Sequence, residues 1–178
     1  TAKRETKFAE TDAAHAAETI AKIEKDIELV TDLSGDNFKA ELTIEPKGSV
    51  TKRKEMGEAI RDLIIGQGDK QTSRHANQTF KLGTISGFSM EVDVTYVGSG
   101  ETQEISYGPI IRGASEYSAR DRHIYIFKET EGQGVAQRFQ NLVGQVPAVL
   151  QLYQDRLEQA KKTIAKLKPQ IEAKPFAD

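Results

Sequence analysis

The side chains best equipped to act on a partner are nine bases. Lys52, Arg53, Lys54 and Arg61 lie close together, Lys70 and Arg74 follow, and Arg112, Arg120 and Arg122 come later. Lys and Arg neutralise backbone phosphates, so these nine are a candidate DNA-contacting set wherever the fold converges them. The rest of the reactive inventory is thin. With no cysteine there is no thiol nucleophile, disulfide or cysteinyl zinc site. His15, His75 and His123 sit in three unrelated segments, without a second ligand at metal-binding spacing. Glu91 and Asp93 alternate with Met90, Val92 and Val94, the pattern of an outward, solvated strand face rather than of an acid–base pair. Gly66-Gln67-Gly68-Asp69-Lys70-Gln71-Thr72 lacks the glycine before Lys70 and the hydroxyl after it that a phosphate loop requires. Gly132-Gln133-Gly134 reads as a flexible helix entry. The residues therefore predict no catalytic group, no metal and no cofactor, and this chain is not expected to be an enzyme.

The elements that must position the basic set follow from periodicity. From about Lys7 to Leu33, Ala9, Ala13, Ala16, Ile20, Ile23, Ile27 and Val30 step by fours and threes, a heptad seam. The helix is expected to stop at Ser34-Gly35-Asp36-Asn37. Val146, Leu150, Tyr153, Leu157, Ala160, Ile164, Leu167 and Ile171 repeat the pattern near the other end. That second helix is expected to run from about Pro147 to Lys168, with Pro169 kinking or ending it. A separate preceding helix, marked by Phe139, Leu142 and Val143, should join it through a bend at Gly144–Pro147. The two seams are expected to pair as an antiparallel coiled-coil arm within the chain, with pairing between chains, a homodimer, as the rival.

Between them Phe38–Ile44 alternates as a half-buried strand, Pro46–Ser49 reads as a turn, and Thr51 is placed to cap a helix over Lys52–Ile65. Strands are predicted over Thr79–Ile85, Phe88–Val97, Glu101–Tyr107 and Asp121–Phe127, with a hairpin signal at Val97–Glu101. The fold class is α+β: a small, mostly antiparallel sheet of four or five strands with one packed helix, flanked by two long terminal helices. It divides into an N-terminal coiled-coil helix (residues 1–36), a compact α+β section (37–130) and a C-terminal helical arm (131–178), all one structural unit.

The 178 residues suit one domain with a modest core, or a small domain plus an extension. Lys+Arg 25 against Asp+Glu 27 argues against a histone-like protein or an acidic tail. Residues 1–36 carry 5 basic and 9 acidic side chains, residues 37–128 carry 13 and 12, and residues 129–178 carry 7 and 6. The middle leaves room for a local phosphate-facing surface without being basic. No apolar run approaches the ~18 residues of a membrane span. These features predict a cytoplasmic chain without membrane contact, and a start at Thr1 rather than Met reads as an excised piece of a longer polypeptide.

Thr51-Lys52-Arg53-Lys54-Glu55-Met56-Gly57-Glu58-Ala59-Ile60 resembles a "T-D-R-K-E-A-G-x-A-L" segment. That segment lies near the C-terminal end of large phage-, plasmid- and mobile-element-borne proteins, which combine an SNF2/DEAD-like helicase with an N-6 adenine DNA methylase. In that family the segment follows a short strand and precedes a "G-F-x-L-x-V" strand, matched by Gly87-Phe88-Ser89-Met90-Glu91-Val92. A long helix then ends in "K-P-F", matched by Lys174-Pro175-Phe176. Lys52 replaces the family's Asp and Met56 its Ala, and the helicase motifs and the methylase Asn-Pro-Pro-Tyr are absent. No catalytic residue carries over. The resemblance implies a parent acting on DNA as an ATP-dependent helicase, an adenine methyltransferase or both. This chain would be its C-terminal accessory domain, touching DNA or docking the enzymatic domains. The alternative is a coiled-coil assembly or dimerisation module without nucleic-acid contact.

Overall fold

The computed structural model describes residues 1–68, 78–97, 104–119, 126 and 130–173. In chain order these form α1 (Ala2–Ile27), a single 3-10 turn (Gly35–Asn37), β1 (Ala40–Leu42), β2 (Gly48–Val50) and α2 (Arg53–Gly68). Then come β3 (Thr79–Ile85), β4 (Phe88–Val97), β5 (Glu104–Arg112), β6 (Glu116–Ser118) and α3 (Gly132–Ala173). The α+β class expected from the sequence is the class observed. Two compact units result: Thr1–Glu28 with the chain from Val146 onward, and Leu29–Gln145.

The first unit is the helical arm, and the two heptad helices pair within the chain. Ala9, Ala16 and Ile23 of α1 and Ala160 and Leu167 of α3 are buried, every second seam position in each case. The ring of His15 meets that of Tyr153 edge-on at 6.5 Å, while Phe8 and Ala9 share a groove with Gln159, Ala160 and Thr163. Lower numbers on one helix thus face higher numbers on the other, the antiparallel sense.

The second unit is a six-stranded antiparallel sheet in the order β2-β1-β3-β4-β5-β6. Its core face carries Phe88, Met90, Val92 and Val94 of β4 beside Tyr107 and Ile111 of β5, all buried. Two helical stretches supply the other half of the core. Met56, Ala59, Ile60 and Ile64 do so from α2, and Val135, Ala136, Phe139, Leu142 and Val143 from the first turns of α3. The Tyr107 hydroxyl donates to the Ile64 carbonyl at 3.2 Å, tying β5 to α2. Phe88 and Tyr117 close the sheet end with rings edge-on at 6.0 Å.

Several expected boundaries are corrected. α1 stops at Ile27 rather than Leu33, so Val30 is not part of the seam. The next residues are held out of the helix by tertiary bonds. Ser86 Oγ donates to the Leu29 carbonyl, and the Thr31 amide donates to Ser86 Oγ at 3.0 Å. The expected turn at Pro46–Ser49 contains the start of β2, which pairs with β1 through Ala40↔Val50. The expected strand 38–44 shrinks to Ala40–Leu42. α2 begins at Arg53, where the Met56 amide donates to the Lys52 carbonyl, so Thr51 lies outside the cap position.

β5 runs on to Arg112, and with β2 and β6 the sheet has six strands rather than the four or five expected. The expected 121–127 strand lies outside the described residues except Ile126, which bridges Tyr107. The tip of the 97–101 hairpin also lies outside them, although Val97 pairs with Glu104. Finally, the separate helix and the stop at Lys168 are replaced by one helix that contains both Pro147 and Pro169. Both prolines are solvent-exposed, and each removes one donor from the helix ladder.

Candidate functional site

The segment of α2 that carries the resemblance is built for packing. Arg53 leads the helix and turns its guanidinium inward. Its Nε donates to Gln140 Oε1 at 2.7 Å, and its terminal nitrogens donate to the Leu33 carbonyl at 2.7 Å and the Gly35 carbonyl at 3.1 Å. The same group lies 4.8 Å over the Phe38 ring. One side chain thereby joins α2, α3 and the chain entering β1, and satisfies two carbonyls that regular structure leaves free. Four residues on, Gly57 allows α2 to meet the start of α3 backbone to backbone. A Cβ on Gly57 would lie 1.6 Å from the Gly132 carbonyl oxygen. A Cβ on Gly132 would in turn lie 3.0 Å from the Lys54 carbonyl. The Gly132-Gln133-Gly134 entry is therefore a close crossing, not a flexible one.

The second matching motif has a comparable explanation. Ser86 and Gly87, at φ 52° and 85°, form the two-residue turn between the paired ends Ile85 and Phe88. Glycine takes such a φ without strain, and a Cβ there would meet Leu29 Cδ2 at 3.0 Å. Serine at positive φ is disfavoured, and its bonds to Leu29 and Thr31 offset that.

The other described bases do not gather around Arg53. Lys52 is exposed, Lys54 faces Glu58 at 3.9 Å on an open surface, and Arg61 is half-buried. Arg112 points from the opposite side of the sheet. On β5, Tyr107 and Ile111 face the core while Ile110 and Arg112 alternate to the other side. There Arg112 Nε donates to Glu91 Oε2 at 3.0 Å and a terminal nitrogen reaches Glu116 Oε1 at 3.4 Å. The Glu91 hydrogen bond, reinforced by its charge and that of Glu116, raises the guanidinium pKa above its ordinary value. Glu91 itself is buried, not solvated as its alternation suggested.

That outer face is a polar ladder. Ser49, Glu41, Thr84, Ser89, Arg112 and Glu116 line up in register across all six strands. With Glu91 and Asp93 beside them, acids outnumber bases along it, a poor surface for phosphate. Lys70, Arg74, Arg120 and Arg122 lie outside the described residues.

His15 is exposed on the arm, while His75 and His123 lie outside the described residues. No three His, Asp or Glu side chains gather as a metal site among the described residues. No described helix is long and apolar enough to cross a membrane. The inward role of Arg53 could not be read from the sequence, because its acceptors are two backbone carbonyls and a glutamine 87 residues away. Comparison with protein-family models, with curated proteins and with solved structures finds no match.

Proposed function

We propose that this chain is a non-catalytic accessory domain of a DNA helicase/DNA methylase polypeptide, and that it works by docking the enzymatic domains. One observation carries the choice of docking over DNA contact. The basic residues on the resembling segment and on β5 lie on opposite sides of the sheet, and Arg53 and Arg112 are already engaged by acceptors of this chain. A phosphate track needs cations on one continuous surface, free to displace counterions. The resemblance of residues 51–60 and 87–92 supports the parent assignment, and the packing roles of Arg53, Gly57 and Gly87 make both stretches part of the fold rather than of a catalytic site.

The test supplies the helicase and methylase domains as separate polypeptides and runs them with this chain on size exclusion. Co-elution at equal stoichiometry supports docking. Separate elution, together with DNA affinity that falls steeply with salt, overturns it in favour of a DNA-contacting domain.

A further inference from the structure

We infer that one face of the helical arm binds the same face of a second copy of this chain. The observations come from the arm alone and do not depend on the docking reading. Phe8 of α1 and Leu152 of α3 are the exposed large apolar side chains among the described residues, at 64% and 37% of full exposure. Phe8 borders a groove of about 560 Å³ between the two helices, floored by Ala9, Ala16 and Ala160. Leu152 lies one helical turn from Arg156, which lines the same groove, so both apolar knobs and the small-residue hollow share one side of the arm.

Charge selects the occupant. Glu5 and Asp12 edge the groove on α1, and Arg156 edges it on α3. Within the chain Arg156 lies over the Tyr153 ring at 5.0 Å, and among the described residues Asp12 makes no ion pair. A partner of one sign would meet like charge on one rim. A two-fold axis along the arm instead sets α1 of one copy across from α3 of the other, level for level. Asp12 of each copy then meets Arg156 of the other, and each Phe8 enters the hollow beside the other's Ala160. The face is its own complement.

Sedimentation equilibrium of the full chain tests this. The wild type is expected to dimerise, and Phe8→Glu to weaken the dimer by about tenfold or more, as loss of a central aromatic anchor does. Asp12→Arg and Arg156→Asp should each weaken self-association. An equimolar mixture of those two variants should recover it, because each then supplies the charge the other lacks. Circular dichroism of each variant should match the wild type. A wild type that stays monomeric at high concentration overturns the inference. So does a dimer indifferent to Phe8→Glu, or a mixture no tighter than the single variants alone.

Discussion

Arg53 shows how a residue type suited to phosphate can be taken up by the fold. Its three hydrogen bonds and the Phe38 ring hold α2, α3 and the chain entering β1 together. Arg53→Ala is expected to destabilise the chain by about 1–2 kcal/mol, because three charge-assisted hydrogen bonds, two of them part-buried, are lost. Arg53→Lys should recover little, since an ammonium cannot span the same acceptors. Urea unfolding checks both.

Two glycines in α2 make a sharper pair. Gly57→Ala drives a Cβ into the Gly132 carbonyl and should cost about 3 kcal/mol or more. Gly66→Ala meets nothing within 4 Å and should stabilise by roughly 0.5–1 kcal/mol through helix propensity. Opposite signs from one substitution type in one helix identify the packing role.

Asp32 gives a pH-dependent check. The Ser34 hydroxyl and amide, and more weakly Asn37, donate to its carboxylate and hold its pKa below the ordinary 3.8. A depressed folded pKa means that its contribution is present above that ordinary value and lost as pH falls through the folded one. A carboxyl-shift titration should show a midpoint below 3.8 that rises in Ser34→Ala.

At the scale of elements, α1 and the later part of α3 depend on each other. Among the described residues neither has a second apolar partner in its unit, and a lone helix gains little in water from propensity. Deleting residues 1–28 should therefore lower the helical circular-dichroism signal by more than the 26 residues of α1 account for, because the seam of α3 loses its cover.

The legible elements were those with long, unambiguous periods. β4 alternates cleanly over its length, and both heptad seams were visible in the sequence. Misreadings arose where local pattern and tertiary contact disagreed. Val30 keeps the helical step, but Ser86, 57 residues from Leu29, bonds that carbonyl and draws the chain away. β2 is too short to show alternation. Pro147 and Pro169 read as breaks, yet α3 continues through both at the loss of one ladder hydrogen bond each.

At the scale of the molecule, the fold was more legible than the site. Apolar spacing states which surfaces must be covered, and from it the α+β class and the paired arm follow. The nine bases offered no comparable constraint, because charge in sequence does not say which side of a sheet a residue reaches. Arg112 and α2 turned out on opposite faces, with Arg112 between Glu91 and Glu116. Of the described bases in that set, Arg53 and Arg112 are tied to acceptors of this chain, and that engagement is what supports the proposed docking role over DNA contact.

Its most direct test is retention of the helicase and methylase domains on the immobilised chain after exhaustive nuclease treatment. Retention that persists without DNA is the result predicted. Retention that disappears with the nuclease, or none at all, would contradict the account.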